Sequence, residues 1–247
     1  MSRSPPSAWA VNPQNYTRDP TWTKVDTYTF SSLHSSTSTP SPALLKKAIE
    51  ASDEHNLPHI EVSPSQGKFL MLQARLINAK NILEIGTLGG VSTIWMANAT
   101  PETKITTLEI DEKFAEVAKE NWAMAGVKDK VELLLGNALE SLPKLLEEVT
   151  SGKRAKWDLV FIDADKSHGW EYYNLAVQMS RPGACIMVDN VVMKGSLVDE
   201  EQIAKNPAVK GSRTLVDALG KDNRVDAVVM QTVGEKIYDG FVFAIVK

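Results

Sequence analysis

Residues 81–97 read NILEIGTLGGVSTIWMA, a short apolar strand and an apolar helix joined by a glycine-containing turn. NILEI has the length and apolar content of a strand buried in a sheet, and VSTIWMA can continue as a helix. Between them, Gly86, Gly89 and Gly90 allow a tight turn and a close approach of the backbone to a ligand. A strand, a turn and a helix in this order predict a βαβ unit of an α/β fold.

The same alternation continues toward the carboxyl terminus. Further strands are predicted in KITTLEI, KVELLL, WDLVFI and GACIMVD, with amphipathic helices between them. The last two apolar segments, DAVVMQTV and DGFVFAIV, lie too close together for a crossover helix, so they are expected to form an antiparallel hairpin. The sequence therefore predicts a mostly parallel sheet with helices on both faces.

The chain divides by composition into an arm and one domain. Residues 1–41 are rich in Ser, Thr and Pro and show little periodicity, which predicts an extended N-terminal arm. The arm has too many aromatic residues for a disordered tail, so it is expected to pack on the body, where it would line a ligand pocket, or on a partner subunit. These residues are Trp9, Tyr16, Trp22, Tyr28 and Phe30. Residues 42–247 are predicted to form a single domain that begins with two helices, the second capped by Ser63.

Charge and composition exclude several classes of protein. The chain of 247 residues carries a formal net charge of −4, which argues against a nucleic-acid backbone or an anionic membrane as partner. No segment approaches the roughly 20 apolar residues of a membrane span. The single cysteine, Cys185, excludes an intramolecular disulfide and a cysteine-based zinc site. We expect a cytoplasmic protein; Arg3, Arg18 and the early serines leave a mitochondrial transit segment as an alternative.

Acidic residues and glycines at the strand ends predict a nucleoside site. Ligands of open α/β sheets bind at the carboxyl ends of the strands. Glu84 precedes the turn and would attract a cationic ligand, whereas Glu109 ends the next strand and can accept hydrogen bonds from a ribose diol. Small residues around Ala138 would leave room for a base. The turn could also be a simple tight connection, and Glu109 a helix cap, but together they favour S-adenosylmethionine over NAD.

Polar residues after the fourth and fifth strands predict a metal site. Asp163 follows WDLVFI, and Asp189 and Asn190 follow ACIMV. If these strands are neighbours, three oxygen donors meet beside the cofactor, and such donors suit Mg²⁺ or a similar hard cation. Taken singly, the aspartates could be helix caps and Asn190 a turn residue.

These motifs together resemble the cation-dependent class I S-adenosylmethionine O-methyltransferases of the caffeoyl-CoA and catechol type. The matching stretches are ILEIGTLGGVSTIWMA, TLEID, GNALE, FIDADK and MVDN. The resemblance implies a Rossmann-like seven-stranded sheet with an antiparallel last strand, commonly in a homodimer. It implies catalytic roles for Lys166, as the base beside the acceptor hydroxyl, and for Asp163. It also implies cofactor contacts from Val62, Ser63, Glu84, Gly86, Thr87, Ser92, Glu109, Ala138, Asp165 and Tyr172.

The predicted reaction is methyl transfer to a hydroxyl of a catechol, flavonoid or other polyphenol, and a protective role against metal-driven oxidant formation is a further hypothesis. Plant caffeoyl-CoA enzymes carry an asparagine where this chain has Lys194, which argues against CoA-linked acceptors. Alternatives are a CoA-linked phenylpropanoid, a hydroxylated tRNA base, a dehydrogenase reaction, or an inactive cofactor-binding scaffold. His168 is not assigned as a ligand, and Trp170 could stack on the cofactor or acceptor.

Overall fold

The computed structural model describes residues 19–247, and these residues form a single seven-stranded sheet with the order β3-β2-β1-β4-β5-β7-β6. The strands are β1 Asn81–Ile85, β2 Lys104–Glu109, β3 Val131–Leu135, β4 Trp157–Ile162, β5 Ser180–Val188, β6 Val225–Thr232 and β7 Asp239–Val246. Strands β1 to β5 are parallel, and β7 runs antiparallel to both β5 and β6. The Rossmann-like α/β fold predicted from the sequence is confirmed.

Nine α-helices surround this sheet within residues 19–247. They are α1 Pro20–Leu33, α2 Pro42–Glu54, α3 Pro64–Leu76, α4 Val91–Ala97, α5 Glu112–Met124, α6 Ala138–Thr150, α7 Gly169–Met179, α8 Glu200–Lys205 and α9 Pro207–Leu219. The apolar side chains form two large clusters, one centred on α6, α7 and α9 and the other on α2, α3, α4 and α5. No helix in this range is long and apolar enough to cross a membrane.

The described part of the N-terminal segment differs from the predicted extended arm, because residues 20–33 form helix α1. Asp19 caps this helix by accepting a hydrogen bond from the amide of Thr21, and Pro20 occupies the first turn, where its missing N–H costs nothing. The helix packs on the body through Phe30 and His34, which lie against Trp95. These local signals outweigh the weak periodicity of the segment. Trp9 and Tyr16 lie outside the described residues.

Capping side chains set the starts of the next helices. Ser63 caps α3 as predicted, by accepting a hydrogen bond from the amide of Gln66, and Ser41, which was not predicted as a cap, caps α2. Residues 200–219 form two helices, because Pro207 begins a new one and Asn206 caps it.

The sheet brings the carboxyl ends of β1, β4 and β5 side by side. The amide of Asp163 donates to the carbonyl of Ile85, and the amide of Asp189 donates to the carbonyl of Ile162. The polar residues that follow these strands therefore share one edge of the sheet.

Candidate active site

A cleft of about 460 Å³ opens at the carboxyl ends of the strands. Its walls come from the glycine turn after β1, the end of β2, the start of α6 and the segment after β4. Of the cofactor-binding residues predicted from the sequence, eight line it: Val62, Gly86, Thr87, Ser92, Glu109, Ala138, Asp165 and Tyr172. Asp163 lines it as well.

The glycine turn is shaped by close backbone contacts. Gly86 has a φ of +97°, and a Cβ atom there would lie 2.1 Å from the carbonyl oxygen of Asp163. Gly90 has a φ of +76°, and its Cβ would meet the ring of Trp122 at 2.3 Å. Any side chain at either position would separate the turn from its neighbours, so these glycines keep the cleft in its shape.

Glu84 lies beneath this turn rather than in the wall of the cleft. Its carboxylate is fully buried and accepts hydrogen bonds from the hydroxyls of Ser92, Thr93 and Thr107 at 2.5, 2.5 and 2.6 Å. Burial raises its pKa to about 7, opposed by the three hydroxyl donors, while the charge of Asp163 adds to the rise. Glu84 is placed to hold Ser92 at the cleft, and its contact with the cofactor stays a prediction.

Glu109 faces the cleft and holds the turn in place. One carboxylate oxygen accepts from the amides of Thr87 and Leu88 at 3.1 and 2.8 Å, and the other accepts from Ile110 and Asp111 at 2.9 and 3.0 Å. The helix cap considered as its alternative role belongs to Asp111, which accepts hydrogen bonds from the first turn of α5. Glu109 is therefore a fixed carboxylate at the cleft, and its hydrogen bonds to a ribose diol stay a prediction.

The segment after β4 contributes a second acidic residue to the cleft. Asp165 accepts hydrogen bonds from the amide and hydroxyl of Ser167 and contacts Nδ1 of His168 at 2.8 Å. Burial acts to raise the pKa of Asp165, but these hydrogen bonds outweigh it and hold the pKa below its ordinary value. His168, to which no role was assigned from the sequence, also lines the cleft.

Asp163, which lines the cleft, forms an ion pair with Lys166, which is not among the residues that line it. The lysine Nζ lies 2.5 Å from Oδ1 of Asp163, and the lysine side chain is only 8% exposed. Helix α9 packs directly behind this lysine: a Cβ atom on Gly211 would lie 2.2 Å from the carbonyl oxygen of Lys166. The predicted catalytic pair is thus brought together and supported from behind.

Asp189 stands next to Asp163 as the strand order predicted. Burial raises the pKa of Asp189 to about 7, and the neighbouring charge of Asp163 adds to the rise, whereas Lys166 and a hydrogen bond from Gln66 oppose it. Asn190, the next residue, has a left-handed backbone with a φ of +57°.

The donor set fits a small hard cation. It offers two carboxylates and one amide, all oxygen donors, and a dication would relieve the repulsion between Asp163 and Asp189. Within residues 19–247, no group of three or more His, Cys, Asp or Glu side chains is arranged to hold a metal, and a divalent cation at Asp163, Asp189 and Asn190 stays a prediction.

Other predicted residues have structural roles or lie apart. Ser63 caps α3 and does not line the cleft. Cys185 is buried in β5. Lys194 lies in a turn with left-handed backbone, and Trp170 stacks on Tyr173 with ring centroids 6.0 Å apart.

Gln66, Gly211 and Asp239 contact the residues that follow β4 and β5, and the sequence did not indicate them as site residues. Asp239 begins β7 and accepts a hydrogen bond from the side-chain amide of Asn190. Only the position of Asp239 at the carboxyl edge of the sheet, in the motif DG before an apolar strand, could have drawn attention to it. Gln66 and Gly211 lie on helices, and their local sequence carries no signal of a site.

Comparison with known proteins identifies the family. The profile of the O-methyltransferase family matches residues 34–243. The chain is 48% identical over 234 residues to the O-methyltransferase imqG of Aspergillus flavus, covering 95% of this chain and 94% of that protein. It is 47% identical over 204 residues to a catechol O-methyltransferase of Niastella koreensis, covering 82% of this chain and 90% of that protein. The solved O-methyltransferase TomG of Streptomyces achromogenes, in complex with SAM, has a TM-score of 0.85 at 40% identity, covering 94% of this chain and 100% of that chain.

The fold and the cleft at the ends of β1, β2 and β4 define a Rossmann-like transferase, and the chain belongs to the O-methyltransferase family. The enzyme class predicted from the sequence, an S-adenosylmethionine-dependent O-methyltransferase, is confirmed.

Proposed function

We propose that this enzyme methylates one hydroxyl of a catechol-like small molecule, such as a catechol, flavonoid or other polyphenol, and that it needs a divalent cation. The observation that carries the proposal is that Asp163, which lines the cofactor cleft, pairs with Lys166 and stands beside Asp189 and Asn190, which follow the neighbouring strand. The name of the catechol O-methyltransferase relative supports the acceptor class.

Each group of residues has a part in the proposed reaction. S-adenosylmethionine, held by Glu109, the glycine turn and Asp165, supplies an electrophilic methyl group. Gly86 would let the backbone come close to the bound cofactor, and Glu84 holds Ser92 from below. The bond from sulfur to methyl breaks as the bond from methyl to the acceptor oxygen forms, with no covalent intermediate on the protein.

The cation would be held by Asp163, Asp189 and Asn190. When bound, Mg²⁺ or a similar ion favours the phenolate form of the acceptor and fixes two adjacent oxygens at once. Lys166 is proposed to take the hydroxyl proton or to orient the acceptor oxygen. The salt bridge to Asp163 keeps the Nζ atom in a fixed place, which supports the orienting part, whereas proton transfer requires the neutral amine as the proton acceptor.

The deciding experiment compares vicinal and separated diols in the presence of S-adenosylmethionine. Catechol and a flavonoid with adjacent hydroxyls are expected to be methylated with Mg²⁺ and not after treatment with a chelator, with activity restored by added Mg²⁺. Resorcinol, whose hydroxyls are not adjacent, is the matched control and is expected to react far more slowly. Product mass reports each case. Equal turnover of both diols, or full activity in chelator, would contradict the proposal.

Two alternatives remain for the acceptor: CoA-linked phenylpropanoids and hydroxylated tRNA bases. Lys194 departs from the asparagine of the plant caffeoyl-CoA enzymes, and the net charge of −4 disfavours RNA. Including caffeoyl-CoA and total RNA in the same assay separates these cases. A protective role is tested by measuring peroxide formation from a catechol before and after its enzymatic methylation.

We also propose that the enzyme is a homodimer. Exposed apolar side chains lie on elements that contact one another, since α1 packs on α3 and α3 packs on β7 through Phe69 and Phe241. These exposed residues are Val25, Tyr28, Leu72, Leu76, Val228 and Met230. Sedimentation at micromolar concentration should give a dimer that Leu76→Glu dissociates, whereas Leu135→Glu, on the opposite edge of the sheet, should not. A monomeric wild type would contradict this.

A further inference from the structure

The segment after β5 has an unusual backbone. Asn190, Met193 and Lys194 have φ values of +57°, +49° and +57°, a region that residues other than glycine rarely adopt. Each such residue costs free energy unless surrounding contacts hold it. The segment also carries Asn190, so whatever holds its backbone bears on the third donor of the proposed cation site.

The carboxylate of Asp239 holds this segment. Its Oδ1 accepts hydrogen bonds from the amides of Val192, Met193 and Gly240 at 3.1, 2.8 and 2.8 Å. Its Oδ2 accepts from Nδ2 of Asn190 at 3.3 Å. Asp239 is only 5% exposed, so these contacts are shielded from water. The strand β7 thereby fixes both the backbone of the segment and one side chain on it.

The chemistry of a carboxylate decides which way the amide of Asn190 points. An ionised carboxylate only accepts hydrogen bonds, so the group that faces it must be the NH₂ of the asparagine. The carbonyl oxygen of Asn190 is then turned away from Asp239. A hard cation binds the carbonyl oxygen of an asparagine and not its NH₂ group. The orientation of the amide therefore determines whether Asn190 can serve as a ligand.

We propose that Asp239 is a positioning residue, which orients the amide of Asn190 so that its oxygen is available to the cation. This inference rests on the proposed function, because it assumes that Asp163, Asp189 and Asn190 hold a cation. Asp239 itself is not a ligand in this scheme; it acts through the hydrogen bond to Asn190. Partners of this kind, one step removed from a metal, typically change its affinity by about 10–100-fold when they are replaced.

The variant Asp239→Asn tests the proposal with Mn²⁺ as the probe. The side-chain amide introduced at position 239 can accept the backbone amides only with its oxygen. Its NH₂ then faces the NH₂ of Asn190, so Asn190 is expected to flip. Mn²⁺ affinity, followed by electron paramagnetic resonance, should fall by about tenfold or more. The affinity for S-adenosylhomocysteine, measured by calorimetry, should stay within about twofold, since none of its predicted binding residues contacts Asp239.

A double variant that exchanges the carboxylate and the amide should restore Mn²⁺ binding. In the double variant Asn190→Asp with Asp239→Asn, donor and acceptor trade places across the same hydrogen bond, and residue 190 again presents an oxygen to the cation. Mn²⁺ affinity should recover most of the loss. Asp158→Asn is the matched control, because Asp158 is a buried aspartate that accepts two backbone amides, those of Lys80 and Asn81, at the opposite end of the sheet. It should lower the melting temperature and leave Mn²⁺ affinity unchanged.

The outcomes separate this inference from the proposed function. Mn²⁺ binding by Asp239→Asn within twofold of wild type would overturn the inference alone. So would a parallel loss of Mn²⁺ affinity, cofactor affinity and melting temperature that the exchange does not repair, since that indicates a merely structural role. If Asp239→Asn does not fold, a folded exchange variant decides: it supports the inference if it binds Mn²⁺ and overturns it if it does not. A wild type that binds no Mn²⁺ removes both the proposed cation and this inference.

Discussion

Glu84 is a fully buried carboxylate held by three hydroxyl groups, and its charge state ties stability to pH. Burial raises its pKa from 4.5 to about 7 in the folded chain. The folded protein therefore keeps this proton at pH values where the unfolded chain has lost it. The resulting stabilisation is complete below pH 4.5 and is lost as the pH rises to about 7.

Replacing Glu84 with Gln should flatten this dependence. The rise in the pKa of Glu84 corresponds to about 3 kcal/mol of unfolding free energy, or on the order of 5–10 °C in melting temperature for a chain of this size. Between pH 5 and pH 8, the melting temperature should fall less in Glu84→Gln than in wild type. Glu140→Gln, at an exposed position, is the control and should leave the drop unchanged. An equal drop in wild type and Glu84→Gln would contradict the assignment.

Lys166 is the residue on which the proposed proton transfer depends. Lys166→Ala removes the Nζ atom 2.5 Å from Asp163 and should lower kcat by about 10²–10⁴-fold, the range of a lost acid–base group. Lys166→Arg retains the positive charge, so activity retained in Arg but lost in Ala would indicate orientation rather than proton transfer. Rates are measured from pH 6 to pH 10 alongside the affinity for S-adenosylhomocysteine. An unchanged rate and alkaline profile in Lys166→Ala would remove the base from the mechanism.

At the scale of elements, helix α9 acts as the support for the segment that carries Lys166. Gly211 lets the helix touch the backbone there, since a Cβ atom would lie 2.2 Å from the carbonyl oxygen of Lys166 and 2.7 Å from Cα of Ser167. The partners at this contact are backbone atoms, which cannot rotate away as a side chain could. The position of the lysine is thus set by the packing of a helix more than 40 residues later in the chain.

Gly211→Ala should displace the Lys166 segment. We expect a loss of about 1–3 kcal/mol in unfolding free energy from overpacking and a fall in kcat larger than any change in cofactor affinity. Gly220→Ala is the matched control at the end of the same helix, where the nearest atoms would lie 3.7 and 3.8 Å from the new Cβ. Chemical denaturation and steady-state kinetics check both variants. Equal behaviour of the two would show that the close contact at Gly211 has no consequence for the site.

At the scale of the whole molecule, α1 joins the start of the described chain to the hairpin near its end. The amide of Glu235, in the loop between β6 and β7, donates to Oδ2 of Asp26 at 2.7 Å. The next residue, Lys236, pairs with Glu61 at 2.7 Å, and Glu61 lines the cofactor cleft. The helix, the hairpin loop and the rim of the cleft therefore form one connected unit.

Asp26→Ala should loosen that unit without unfolding the sheet. The amide of Glu235 loses its acceptor, so its hydrogen exchange should speed up by about tenfold or more, while amides in β1 and β4 stay protected. Lys24→Ala, at an exposed position on the same helix, is the control. Exchange measured by mass spectrometry or NMR should separate the two variants. Unchanged protection at residue 235 in Asp26→Ala would argue against the connection.

Most strands and helices are predictable from the sequence, because buried strands and amphipathic helices carry their periodicity locally. A nucleoside cofactor is predictable as well, because the acids and glycines of the cleft stand directly after strands, where an α/β sheet gathers them. The enzyme class followed from the resemblance of these motifs to a known family. The division into a short arm and one domain stays a prediction, although α1 shows that a capping aspartate and a proline can start a helix where periodicity is weak.

The roles of the individual carboxylates depend on the tertiary structure. Glu84 and Glu109 both lie near strand ends. The carboxylate of Glu84 is buried and accepts hydrogen bonds from hydroxyls, whereas that of Glu109 lines the cleft and accepts hydrogen bonds from backbone amides. Gln66, Gly211 and Asp239 reach the site from α3, α9 and β7, which are remote in sequence from Asp163 and Asp189. Such contacts depend on how the helices and strands pack. They join residues that are far apart in the sequence, so no local sequence pattern predicts them.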